Sequence, residues 1–309
     1  MQEGSRRAII AALFANLGIA IAKFVAWSVT GSSAMLAEGV HSLADTGNQA
    51  LLILGGSRAK RDPTPEHPFG YGRERYFWAF VVSVVLFILG SLFAIYEGVE
   101  KLRHPHPLES PQWAIGVLIV ALVLEGLSLR TAVREALPLK GENSWWSFVR
   151  HAKTPELPVV LLEDLAAQLG LVLALCGVGL ATLLDEPRFD AIGTLAIGVL
   201  LFAVAVVLAS EMKSLLIGEG ASPEVRRQIV AAIESTPRVR RLIHMRTLHL
   251  GPEELLVGAK LELESELAFA EVALTIDTVE AGVRARVPSA RIIFLEPDVY
   301  REQGGNGGG

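Results

Sequence analysis

His41 and Asp45 stand four residues apart in the run Glu38-Gly-Val-His41-Ser-Leu-Ala-Asp45-Thr-Gly-Asn48-Gln49. On a helix this spacing sets imidazole and carboxylate one above the other, with Glu38 a turn earlier and Gln49 a turn later on roughly the same stripe. The enclosing apolar run extends from Ala34 to near Gly56 and is long enough to cross a bilayer. A carboxylate at mid-membrane depth costs several kcal/mol, so the stripe must face protein, water or a cation. A His and an Asp so spaced also serve as polar glue between membrane helices. A metal site is the economical reading, and the rest of the chain decides between the two.

A second polar stretch, Glu163-Asp164-Leu-Ala-Ala-Gln168, lies inside another apolar run, shortly after Pro158. Asp164 and Gln168 share a helical face, and Glu163 is rotated by about 100° from Asp164. Two adjacent acids inside a span are hard to explain as packing. Lys23, near the outer end of the first apolar run, is expected to snorkel to the interface. Asn16 is suited to a bond between helices, and Glu97, Glu100 and Glu125 to positions along a pathway.

The elements that must hold these groups follow from composition. Hydrophobic residues make up 51% of the 309 positions and charged ones 20%, which points to a membrane protein rather than a soluble one. Six candidate spans occur at roughly 8–29, 34–56, 76–99, 112–133, 158–183 and 191–209. Loops on the N-terminal side carry most of the Lys and Arg, among them Arg58, Lys60, Arg61, Arg73, Arg130 and Arg134, while the opposite side holds Lys101, Arg103 and Arg188. The positive-inside rule then places both termini in the cytoplasm of a multi-pass protein of the cell (inner) membrane. No removed signal peptide is expected, because Arg6 and Arg7 lead straight into a full-length apolar span. A net charge of −5 gives no support for nucleic-acid binding, and the single cysteine, Cys176, allows no disulfide within the chain.

The division expected is a six-helix transport domain over 1–209, a cytosolic α+β domain over 210–301 and a disordered Gly-rich tail over 302–309. In the second domain Ser222-Pro-Glu starts a helix, with Val225, Ile229 and Ile233 on its buried stripe. Strands follow near 241–250 and 255–264, the latter alternating Leu255, Val257, Ala259, Leu261 and Leu263 with polar positions. Val272, Ile276, Val279 and Val283 repeat at helical spacing, and Arg291 to Leu295 supplies a last strand, giving the order αββαβ.

The loop after the second span contains His67-Pro-Phe-Gly-Tyr71-Gly-Arg73. Coming after His41-x-x-x-Asp45, and within six-span topology followed by a tail domain, it resembles the cation diffusion facilitator family. The segments His41-Ser-Leu-Ala-Asp-Thr-Gly-Asn-Gln, Leu162-Glu-Asp-Leu-Ala-Ala and Ser214-Leu-Leu-Ile-Gly-Glu look most like the branch that includes the zinc transporter of animal mitochondria. The resemblance implies a homodimeric secondary transporter that exports zinc from the cytoplasm against protons, with Zn²⁺ as substrate, no organic cofactor, no enzymatic activity and a metallochaperone-like tail. It implies two ligands from the second span and two from the fifth, matched here by His41, Asp45 and Asp164. Four residues before Asp164 the family has a His where this chain has Val160, so the fourth position falls to water or to Glu163. The family's loop site is degraded, with Tyr71 and Thr64 in place of His and Asp beside His67. In the tail His244 and Glu296 match ligand positions of some members, but Lys260 replaces a His and is suited to pair with Glu296. Mn²⁺, Fe²⁺, Co²⁺ and Cd²⁺ are the alternative cargoes, and an imidazole favours zinc-like ions over Mn²⁺. An intramembrane zinc protease would carry His-Glu-x-x-His on a helix, which the chain lacks.

Overall fold

The computed structural model describes residues 3–142 and 144–301, without the side chains of 3–15 and of His151. The chain forms two compact units, one made of Met1–Arg58 and Glu74–Lys213, the other of Ala59–Arg73 and Ser214–Gly309. The Gly-rich tail expected over 302–309 lies outside the described residues.

The first unit is helical. Helices α1 (Glu3–Thr30) and α2 (Ser33–Arg58) form a hairpin, followed by α3 (Glu74–Val85), a π-helical segment (Leu86–Leu92), α4 (Phe93–Arg103), α5 (Pro111–Lys140), the short α6 (Trp145–His151), α7 (Glu156–Leu184) and α8 (Arg188–Ile217). Among the described residues four helical stretches are long and apolar enough to cross a membrane: Glu74–Arg103, Pro111–Lys140, Glu156–Leu184 and Arg188–Ile217. The other two expected spans are helices as well. The apolar part of α1 counted among the described side chains is the shorter Asn16–Thr30, and α2 is made less apolar by its own polar stripe. Helix α8 runs on to Ile217, so the expected boundary at 209/210 falls inside it.

The turn between α1 and α2 is fixed by two charged side chains. Gly31 adopts φ of 64°, which ends α1. Asp190, fully buried in the first turn of α8, accepts from Ser33 N at 2.8 Å, Ser32 Oγ at 2.6 Å and Ser33 Oγ at 3.0 Å. A carboxylate from another helix thus caps the N-terminus of α2, where free N–H groups and the helix dipole favour negative charge. Lys101 donates to the Gly31 carbonyl at 2.6 Å and closes the turn from the other side. The π segment brings Gly90 inward: a Cβ there would meet Leu201 at 3.1 Å and His41 Nδ1 at 3.9 Å. Such bulges inside α-helices are frequent at functional sites.

The second unit contains α9 (Pro223–Glu234), β1 (Val239–Gly251), β2 (Glu254–Leu263), α10 (Phe269–Arg286) and β3 (Ile292–Pro297), in the αββαβ order expected. Ser222 caps α9 by accepting from Val225 N. Strand β2 is central, antiparallel to β1 and parallel to β3, with α10 as the crossover. Its burial alternates residue by residue, and Leu255, Val257, Ala259, Leu261 and Leu263 join Ile229, Ile233, Val279 and Val283 in one core. The Ala59–Arg73 loop belongs to this unit. Thr64 and His67 exchange backbone hydrogen bonds, Gly70 has φ of 78°, and Tyr71 lies over His67 with ring centroids 4.6 Å apart. Gly72 packs against the end of β1 so closely that a Cβ would stand 2.7 Å from the Leu250 carbonyl oxygen.

Removing the buried acceptor should therefore loosen the α1–α2 turn. Asp190→Ala leaves three donors without their partner and is expected to lower stability by about 2–4 kcal/mol, read as a lower unfolding midpoint in detergent, with Asp190→Asn falling between. An unchanged midpoint in Asp190→Ala would show that the turn holds without the clamp.

Candidate metal centre

Helix α2 presents a buried polar face. His41 is 1% exposed and its Nδ1 stands 3.5 Å from Asp45 Oδ1, as the four-residue spacing requires. Glu38 and Asn48 are fully buried on the same side, while Gln49 is only half-buried. The stripe therefore continues from Asp45 to Asn48 and not to Gln49, because a step of three keeps to the inward face here.

Helix α7 divides its two acids between two neighbours. Glu163 is buried and turned to α2, where Asn48 Nδ2 donates to its Oε1 at 2.7 Å. Asp164 is turned to α5, where Ser128 Oγ donates to its Oδ2 at 2.9 Å. The rotation between consecutive residues makes this division unavoidable. Glu125, Lys23, Asp164 and Glu38 are among the charged groups that act on Asp45, and Asp45 in turn acts on Glu163. Of the four candidate ligands the structure pairs His41 with Asp45 directly, and links Glu163 to α2 through Asn48. Among the described residues no three His, Cys, Asp or Glu side chains converge closely enough to hold an ion.

The chemistry of the unpaired atoms is informative. Glu38 Oε1, both His41 nitrogens, Asp45 Oδ1 and Asn48 Oδ1 are buried without a hydrogen-bond partner. The network fixes the Asn48 amide, since its nitrogen must face the Glu163 carboxylate. A neutral imidazole offers one donor, so all but one of these five atoms present lone pairs. Buried acceptors are normally satisfied, and a concentration of them on one face suits a cation.

A cleft of about 400 Å³ adjoins this region from the α5–α7 side, lined by Arg75, Ser128, Glu135, Glu156, Val160 and Asp164 among others. Val160 and Asp164 both line it, one turn apart on α7. Arg75 closes one side by a two-point ion pair with Glu156, Nε–Oε1 at 2.5 Å and Nη2–Oε2 at 2.8 Å.

One sequence expectation is overturned here. Lys23 does not snorkel: it is fully buried, donating to Glu38 Oε2 at 2.9 Å and Ser42 Oγ at 2.7 Å. The cause is the hairpin. Lys23 lies eight positions before Gly31, and residues at similar distances beyond the turn come alongside it on α2. Counting outward from Gly31-Ser32 would have found this pairing. Ser128 carried no signal, since a lone serine in an apolar helix reads as neutral.

The secondary candidates lie apart from this face. His67 stacks on Tyr71 in the loop. In the tail unit His244, Lys260 and Glu296 are cross-strand neighbours on β1, β2 and β3. Lys260 Nζ contacts Glu296 at 2.9 Å and Asp298 at 3.3 Å. These carboxylates, Glu296 first, hold the Lys260 ammonium above the usual lysine range. The backbone N–H of Val299 and then Lys260 hold Asp298 below the usual carboxylate range. A cationic side chain thus stands between His244 and Glu296.

The family described as the cation efflux transmembrane domain matches residues 9–217. The Proton-coupled zinc antiporter SLC30A9, mitochondrial, of Xenopus laevis is 36% identical over 268 residues, covering 86% of this chain and 48% of that protein. The Cation-efflux pump FieF of Shigella flexneri serotype 5b (strain 8401) is 29% identical over 294 residues, covering 94% and 91%. The chain spans about half the length of the SLC30A9 relatives it matches. The family match runs from α1 through α8 and takes in His41, Asp45, Glu163 and Asp164, and these relatives are transporters rather than enzymes. The chain belongs to the cation efflux family, the cation diffusion facilitators.

Proposed function

We propose that this chain exports a divalent metal, zinc foremost, across a membrane in exchange for protons, binding the ion between α2 and α7 at His41, Asp45 and Asp164. The observation that carries this reading is the set of buried, unpartnered acceptor atoms around the His41–Asp45 pair, inside a region that belongs to a cation efflux family. Imidazole with carboxylates is a donor set for borderline ions, which favours zinc over Mn²⁺ or Mg²⁺. The naming of the Xenopus relative as a zinc antiporter supports the same cargo. Six spans, cytoplasmic termini in the cell (inner) membrane and a homodimer joined through the tail unit complete the proposal. With Val160 inert, Glu163 supplies the fourth ligand by giving up its bond to Asn48.

Proton exchange follows from the ligands. Zinc binds neutral imidazole and ionised carboxylate, so loading displaces protons and protonation expels the metal. Because the same atoms take either the metal or protons, zinc affinity is expected to rise from pH 5.5 to 7.5. An affinity flat over that range would remove His41 as the coupling group.

Alanine at His41, Asp45 or Asp164 is expected to abolish zinc flux in proteoliposomes while the protein still reconstitutes. Wild-type flux in Asp164→Ala would sink the site. Glu163→Gln is expected to weaken zinc binding by about tenfold or more, and Val160→His to tighten it. An unchanged Glu163→Gln affinity assigns the fourth position to water instead.

The tail unit should associate without metal, because Lys260 occupies the cross-strand position between His244 and Glu296. A fragment from Gly220 to Arg301 is expected to remain dimeric in a strong chelator. Dissociation that zinc reverses would give His244 and Glu296 a structural ion.

A further inference from the structure

Lys23 is among the largest side chains wholly enclosed in the helical unit, and export as described above gives it no task. It and Glu38 are both 0% exposed. Exchanging a buried ion pair for apolar side chains of similar volume is commonly neutral or stabilising, so packing gives no reason for the pair. Its location does. Glu38 lies three residues before His41, a neighbouring position on the helix surface, and Ser42, the other partner of Lys23, follows His41 directly. Glu38 and Lys23 are both among the charges that act on His41 and Asp45.

The Glu38 carboxylate is only half engaged. Oε2 takes the Lys23 ammonium, while Oε1 is buried without a partner and points at α7, where a Cβ on Gly170 would come within 2.6 Å of it. A carboxylate oxygen with free lone pairs beside a divalent-ion site joins the coordination shell unless something restrains it.

The geometry points to Lys23 as a specificity-determining residue: its ammonium ties Glu38 to α1, neutralises it, and withholds an additional carboxylate from the transported ion. The inference rests on the metal site proposed above. An imidazole with few carboxylates suits borderline ions, and each added carboxylate oxygen shifts preference toward harder ones such as Mn²⁺. A fixed positive charge nearby also opposes a dication, which keeps the hold on the cargo weak enough for release.

The test is zinc and manganese flux, singly and in competition, by the chain reconstituted in liposomes. Lys23→Met is expected to raise the manganese-to-zinc flux ratio by about tenfold, and adding Glu38→Gln to it to return the ratio to the wild-type value. Lys23→Leu, which likewise removes both the charge and the bond to Glu38, is measured alongside and reads the same gain should methionine prevent reconstitution. An unchanged ratio in the single variants overturns the inference. A gain that survives in the double variant also overturns it, because loosened packing would then be the cause. Asp45→Ala separates the two levels: zinc flux persisting there removes the site itself, a failure distinct from an unmoved ratio.

Discussion

A carboxyl group enclosed by apolar helices costs several kcal/mol unless a group of matching chemistry meets it. Helices α2 and α7 carry four such groups, and the bundle answers each one separately: Lys23 meets Glu38, His41 meets Asp45, Asn48 meets Glu163 and Ser128 meets Asp164. The partners come from α1, α2 and α5, so matching these charges also dictates which helices surround α2 and α7. The matching is incomplete in a consistent direction. What remains over is lone pairs, as at Glu38 Oε1 and Asn48 Oδ1, which an anion or an apolar ligand would not satisfy.

Periodicity made much of this architecture legible. The apolar runs became helices, Ser222 became the cap of α9, and the alternation in 255–263 became the half-buried central strand. The His41–Asp45 contact was readable for the same reason, since it is a property of one helix. Contacts between helices were not. Lys23 was assigned by its distance from a span end, when its distance from the Gly31 turn is what decides its neighbour. The separation of Glu163 from Asp164 was legible as an angle, but which acid faced α2 depended on how α7 is rotated in the bundle. Span ends were poorly readable too, because α8 continues through Glu211 and Lys213 as an ordinary helix whose polar residues resemble the start of a soluble segment.

The motif His67-Pro-Phe-Gly-Tyr71-Gly-Arg73 shows how one pattern admits two physical readings. Its histidine suggests coordination, yet its glycines answer to geometry: Gly70 supplies a left-handed conformation and Gly72 permits contact with the backbone at Leu250 and Gly251. The spacing of the motif is that of a turn fitted to the end of a strand.

That fit has a mechanical consequence. Because Ala59–Arg73 packs as part of the tail unit, the polypeptide passes between the two units three times, after Arg58, after Arg73 and after Lys213, the last passage lying within α8. A domain hung on one tether can swivel without disturbing what it hangs from. Three passages make the two units interleaved in sequence: the chain leaves or re-enters the helical unit at the ends of α2, α3 and α8, and α2 is the helix that bears His41 and Asp45.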